Sequence, residues 1–320
     1  MSLPVVNLPG RAWKRREFLL AGGAAAVAWP FLGGVQSAIA QKAVTLSGYP
    51  FTLGVASGDP WPDGFVIWTR LAPKPFEGGG MPPQNIVVDW QVADDEAMTK
   101  VVAKGTAVAS RELAHAVHVE VQGLEPGRWY WYQFQAAGEV SPKGRARTAP
   151  RSDELPERLR FAFASCQHFE TGFFTAYQHM VREELDLIAH LGDYIYEGAG
   201  REKQIRQHVG PQLHTLEDYR IRHAQYKSDP LLQAAHAKCP WLITWDDHEF
   251  ANNCAGLISE KSDESPDTYR FRRAYAYQAF YEHMPVRRAQ MPTGPDLLLY
   301  RQVSFGQLAN FAILDSRQYR

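Results

Sequence analysis

Trp241-Leu242-Ile243-Thr244-Trp245-Asp246-Asp247-His248-Glu249 decides how the second half of this chain is read. A short apolar run passes straight into a charged quartet, so a buried strand ends where the charge begins. Two adjacent carboxylates at the edge of a buried sheet cost desolvation unless a cation or hydrogen bonds compensate. The same arrangement occurs twice upstream. Residues 159–164 predict a strand ending at Ser165-Cys166-Gln167, and residues 186–191 one ending at Gly192-Asp193, with Tyr196 beyond. Residues 177–184 and 230–238 read as helices between these strands, the second capped by Ser228 or Asp229. Residues 267–283 read as a helix stopped by Pro285, followed by strands at 297–303 and 308–314. Strands alternating with helices predict an α/β sheet, which binds ligands beyond the carboxyl ends of its strands. A lone Cys is usually a buried thiol and a lone Gly-Asp usually a turn. Recurrence at three strand ends favours a metal centre.

The first half has a different texture. Ile86, Val88, Trp90 and Val92 alternate with Val87, Asp89 and Gln91, and Val117, Val119 and Val121 alternate again. Leu124-Glu125-Pro126-Gly127 turns into Tyr130, Tyr132 and Phe134, and Phe65–Thr69 forms a strand after Asp63-Gly64. Short strands between Gly/Pro turns predict an all-β sandwich over residues 45–150, of fibronectin type III or immunoglobulin type. Tyr130 stands where such domains carry a corner tyrosine, although core packing suffices to explain it. A polar, proline-containing stretch at 148–158 then leads into the α/β part, residues 151–320. Gly78-Gly79-Gly80 is the one low-complexity loop.

At the N-terminus, Arg15-Arg16-Glu17-Phe18-Leu19, a mild apolar run and Ser37-Ala38-Ile39-Ala40 read as a twin-arginine export signal over residues 1–40. The run is interrupted by glycines and Pro30 and is too short to span a bilayer. Cleavage near Ala40 would leave no membrane span, and the expected partner of the leader is the twin-arginine translocation machinery. The chain of 320 residues carries 34 Lys+Arg against 35 Asp+Glu, which excludes a nucleic-acid partner recognised through a basic surface. With 45% apolar and 22% charged residues it is a globular chain rather than a disordered one. Cys166, Cys239 and Cys254 are too few for a disulfide framework.

Few histidines and no paired-cysteine spacing argue against structural zinc. The oxygens of Asp193, Asp247, Asn252 and Asn253 suit hard cations such as Ca²⁺ or Mg²⁺, while thiolate and phenolate from Cys166 and Tyr196 suit Fe³⁺. Gly192-Asp193-x-x-Tyr196 resembles the metallophosphoesterase motif of purple acid phosphatases, with Asp246-Asp247-His248-Glu249 in place of Gly-Asn-His-Glu. Together with the leader, Leu53–Pro60, Ala164–Gln167, Tyr226–Pro230, Trp245–Glu249 with Asn252-Asn253, and Leu314–Arg320, the order of motifs resembles the alkaline phosphatase D (PhoD) family.

That resemblance implies an αββα metallophosphoesterase-like domain and an exported, periplasmic or extracellular hydrolase of phosphomonoesters, and of some diesters, for phosphate scavenging. It implies Fe³⁺ and Ca²⁺ as cofactors, with Cys166 and Tyr196 on iron, Asp193 bridging and Asp247 on the second metal. Asp246 joins the expected ligand set. His248, Asp247 and Asn253, or Asn252 in its place, are the expected catalytic groups around metal-activated hydroxide. Arg270, Arg272, Arg273, Arg287 and Arg317 are weaker candidates for gripping phosphate. His168 reads as a loop residue, His115 and His118 as structural, and Cys239 and Cys254 as packing thiols. Family members continue with a Gly-Asp-x-His motif, which is absent after Asp315, so the α/β part is expected to be incomplete and the isolated chain to be nearly inactive. The rival readings are a phosphodiesterase or phospholipase D-type hydrolase, and a non-enzymatic secreted binding protein.

Overall fold

The computed structural model describes residues 44–260 and 264–320. The expected export signal, residues 1–40, lies outside the described residues. Strands β1 (Val55–Trp61), β2 (Gly64–Arg70) and β5 (Ala116–Val121) form one antiparallel run, while β3 (Ile86–Ala93), β4 (Val101–Ala109), β6 (Trp129–Ala136), β7 (Glu139–Val140) and β8 (Gly144–Arg147) form a five-stranded sheet. The alternating residues face one another across a shared core: Val88, Val92, Tyr132 and Phe134 meet Phe65, Ile67, Val117, Val119 and Val121. The N-terminal half is therefore sheet-rich, with two sheets over one core. Tyr130 belongs to that core, and its hydroxyl accepts the Glu125 N–H at 2.9 Å. A side chain bonding back to the backbone five residues upstream is the geometry of a tyrosine corner.

The α/β part adds β9 (Phe161–Ala164), β10 (Leu187–His190) and β11 (Trp241–Ile243), all parallel. The sequence predicts a linker at 148–158 between the β part and the α/β part. Instead β11 pairs with β1 at Gly58↔Trp241, so one six-stranded sheet runs β5-β2-β1-β11-β10-β9 through both halves. Gly58 permits this contact, since a Cβ there would stand 2.9 Å from the Trp241 carbonyl oxygen and 2.2 Å from that of Pro285.

Helices α1 (Thr175–Met180), α2 (Leu216–Lys227), α3 (Pro230–Lys238) and α4 (Pro266–His283) bury Ile188, Trp241 and Ile243 on one face of the parallel strands. On the opposite face the hairpin β12 (Arg301–Phe305) and β13 (Ala309–Ile313) covers Leu187 and Leu242 with Val303. Arg301 fastens the hairpin to the sheet through buried Asp59, at 2.7 Å. The first of the two late strands starts at Arg301, four residues beyond the expected start, because 297–300 run without ladder bonds over the α4 side of the core. No helix among the described residues is long and apolar enough to cross a membrane.

Candidate metal centre

Because β9, β10 and β11 are parallel and adjacent, their carboxyl ends deliver three loops to one place. Gly192 adopts φ +110°, and a Cβ on it would come 2.3 Å from the Asp246 nitrogen. Only glycine lets the loop after β10 lie against the loop after β11. Asp193 and Cys166 follow at φ 54° and 55°, a conformation that costs a non-glycine residue energy and clusters at functional sites. The Cys166 N–H bonds the Gly192 carbonyl at 3.1 Å, and the Gln167 N–H that of Asp193 at 3.2 Å. Glu249 staples the other two loops, accepting the Tyr194 N–H at 2.5 Å and the Asp246 N–H at 2.9 Å. Burial pushes its carboxyl up to about 8.

Ligand atoms of Asp193, Asp247 and His248 all lie within 4.8 Å of one another. Oxygens on opposite sides of a Ca²⁺ are about 5 Å apart, so this spacing fits a single cation or the overlap of two. Tyr196 donates its phenol to Asp193 Oδ2 at 3.2 Å, and the exposed Cys166 thiol interacts with both. Burial raises the Asp193 and Tyr196 pKa values, and burial with the nearby Asp193 charge raises that of Cys166. A metal ion would supply positive charge to all three anionic forms, beyond what the nearby His248 gives Asp193.

His248 lies beside this cluster. Its Nδ1 is 2.7 Å from Glu197 Oε2, and Glu197 Oε1 accepts the Asn252 N–H at 2.8 Å. Burial works against a charged His248 ring, but the Glu197 hydrogen bond and carboxylate outweigh it and lift the ring to about 9. The Tyr196 ring packs at a tilt against His248, at 4.2 Å, and against His168, at 4.3 Å, and Arg201 Nη2 reaches His168 Nε2 at 3.3 Å.

The structure thus brings Cys166, Asp193, Tyr196, Asp247 and His248 together. Asp246, also expected as a ligand, directs its carboxylate to Arg317 Nε. Asn253 meets Asp247 through its backbone N–H, at 2.6 Å, and the amide groups of Asn252 and Asn253 both donate to Glu260. Of the candidate phosphate-binding arginines, Arg317 pairs with Asp246 and Asp247, Arg272 with Glu264, Arg273 with Asp296 and Arg287 with Glu120, while Arg270 is exposed. His118 is buried with Nε2 3.0 Å from the Tyr281 and Met284 carbonyls, and Cys239 and Cys254 are buried thiols. Sequence reasoning missed Glu197, Glu249 and His168 as neighbours of the site. The only signal for Glu197 was its place directly after Tyr196.

A parallel sheet whose strand ends gather carboxylates, a thiol, a phenol and an imidazole defines a metallophosphoesterase-like fold. The structure of purple acid phosphatase PPD1 from yellow lupin (Lupinus luteus) seeds has this fold: it matches 84% of this chain and 46% of its own, with a TM-score of 0.53 at 13% identity. More narrowly, residues 161–320 match the model of the PhoD-like phosphatase family, and residues 36–150 that of the PhoD-like phosphatase N-terminal domain. The chain belongs to the PhoD-like phosphatase family. It is 53% identical over 285 residues to alkaline phosphatase D of Bacillus subtilis (strain 168), covering 88% of this chain and 49% of that protein. A solved structure of PhoD superposes with a TM-score of 0.85 at 54% identity, covering 87% of this chain and 54% of that one. The chain thus spans about half the length of the relatives it matches.

Proposed function

We propose that this chain carries the substrate-facing metal ligands of an exported alkaline phosphatase that hydrolyses phosphomonoesters and accepts some diesters. The convergence of Cys166, Asp193, Tyr196, Asp247 and His248 at adjacent strand ends carries this reading. Cys166 and Tyr196 would suit Fe³⁺ and the carboxylates of Asp193 and Asp247 a hard cation such as Ca²⁺. When bound, such ions supply Lewis-acid stabilisation of phosphoryl charge and a nucleophile at mild pH.

The protein's own groups do the rest. Tyr196 orients Asp193 by its 3.2 Å hydrogen bond, and the Asn253 N–H fixes Asp247. Glu197 holds the Nδ1–H of His248, which leaves Nε2 to donate a proton or hydrogen bond to a phosphoryl or leaving-group oxygen. Arg317 neutralises Asp246 and braces Asp247 from the side of Asp315. In this reading residues 1–40 are a twin-arginine leader that sends the protein to the periplasm or beyond. The two-sheet N-terminal half is a sandwich of fibronectin or immunoglobulin type.

Elemental analysis of the purified chain, with hydrolysis of p-nitrophenyl phosphate and bis-p-nitrophenyl phosphate, tests the proposal. Iron and calcium bound near stoichiometrically, and lost in Asp193→Ala, support it. A folded chain that takes up neither ion in excess metal overturns it, and a strong preference for the diester moves the activity to the phosphodiesterase class.

A further inference from the structure

Arg70 is 2% exposed and has no carboxylate within ion-pair distance among the described residues. Its Nε donates to the Ala114 carbonyl at 2.9 Å, and Nη1 donates to His283 Nε2 at 2.7 Å. His283 in turn gives its Nδ1–H to the Ala279 carbonyl at 2.6 Å, so the ring facing Arg70 is neutral. Nη2 has no hydrogen-bond partner among the described residues. It faces a pocket of about 360 Å³ lined by Gly78, Gly79, Arg111, His115, Glu217 and Arg220.

The glycine loop is the wall of that pocket. A Cβ on Gly79, at φ +83°, would stand 3.4 Å from Arg70 Nη2, and one on Gly78 would stand 3.8 Å from Glu217 Oε1. Opposite, Ala114 and His115 both hold positive φ, 50° and 59°, and it is the Ala114 carbonyl that Arg70 Nε binds. The other cations at the rim are already paired, Arg111 with Glu112 at 2.7 Å and Arg220 with Glu282 at 2.6 Å. His115 Nε2 is 2.9 Å from the Gln84 carbonyl and brings no charge. Glu217 is the one lining carboxylate with no ion pair, and it is exposed. Burial lowers Arg70 to about 10, with the Glu282 charge working against that, so the guanidinium is still a cation at neutral pH.

We propose that this pocket binds a small tetrahedral oxyanion of phosphate size, with Arg70 Nη2 as its buried anchor and Arg111 and Arg220 at its rim. A water molecule would fill the hydrogen bond without adding negative charge beside the guanidinium, which Glu282 and Glu217 offset only from a distance, whereas an oxyanion supplies both. The site is built from residues other than the metal ligands, and the inference does not rest on the phosphatase reading.

The test is calorimetric titration of inorganic phosphate into the full chain held in chelator, which removes phosphate binding that depends on metal. One saturable site is expected, unchanged in Asp193→Ala and weakened more than about tenfold in Arg70→Met. Should Arg70→Met fail to fold by circular dichroism, Glu217→Gln decides. Removing that exposed carboxylate tightens phosphate about two- to fivefold if the anion sits here. No saturation in the folded chain, binding lost in Asp193→Ala, or binding unmoved by Glu217→Gln overturns the proposal.

Discussion

His248 owes both its charge and its direction to Glu197. The carboxylate is buried and its two oxygens are spent on the His248 ring and the Asn252 N–H. Glu197→Ala frees the ring to turn and returns its pKa from about 9 toward its ordinary value of about 6.5. The expected outcome is a shift in the ¹⁵N resonances of His248 from a fixed Nδ1–H form to a mixture of tautomers at neutral pH. Loss of such an orienting partner typically costs roughly 10–100-fold in metal affinity or activity. Glu197→Gln, which keeps an acceptor oxygen, should restore the ring orientation without the charge. An unchanged His248 spectrum in Glu197→Ala would refute the assignment. Gly192 is the second residue on which the site turns. Gly192→Ala drives a methyl into the Asp246 backbone and should weaken metal uptake and lower the denaturation midpoint together. A variant with normal metal content would show that the two loops can part without cost.

At the scale of elements, the strands that carry the site were legible because apolar runs stop abruptly at Cys166, Asp193 and Asp246. Helix α2 was not. Seven of its residues are buried, and Arg222, His223, Gln225 and Lys227 are among them, so it shows no apolar stripe to read. Arg222 is inside because it has work there: it donates to the carbonyls of Tyr196 and Gly198 and so supports the loop after β10. Its start is held by a reciprocal capping box between Thr215 and Asp218, which went unread in the sequence. Thr215→Ala should lower stability by about 1 kcal/mol, seen as a shift of the urea midpoint with an unchanged slope. The pairing of β1 with β11 was equally hidden, since contacts between segments nearly 200 residues apart leave no local pattern. Glu197 and Glu249 were missed for the same reason: their partners lie on other loops. Strand β9 shows the converse. Its existence was plain, yet it ends the six-stranded sheet with Phe163 65% exposed. An apolar edge of this kind invites pairing with another chain. Phe163→Lys is therefore expected to reduce concentration-dependent self-association in light scattering, with little change in the unfolding midpoint; equal association in both proteins would remove the edge from suspicion.

Across the whole molecule, the most consequential choice is to bury histidines in the neutral form. His118 lies between the N-terminal strands and α4, with its ring stacked 4.4 Å from Tyr281, and burial lowers it to about 4. His223, on α2, has no hydrogen-bond partner for either ring nitrogen among the described residues; burial, then the nearby Lys227 and Arg70 charges, lowers it to about 3. Both rings take up a proton near pH 6.5 once the chain unfolds. Between those values the unfolded chain binds more protons than the folded one, so stability rises with pH in that window. The contribution is complete above about pH 6.5 and is lost progressively as pH falls through 6.5 toward 4 for His118 and toward 3 for His223. Each ring is worth at most a few kcal/mol, roughly 1.4 per unit of pKa displacement. The buried histidines should therefore make urea midpoints fall steeply below pH 6.5, while Glu249 and His248, both raised in the folded state, make them decline as pH rises from 6.5 to 8. Replacing His118 by Gln, which can still donate to the Tyr281 and Met284 carbonyls, should flatten part of that fall while costing little at pH 8. A fall of the same steepness in His118→Gln would mean that the ring at this α4 contact is not what acid attacks. With histidines that favour higher pH and with Glu249 and His248 favouring lower pH, the folded chain is expected to be most stable at about pH 6.5 to 7.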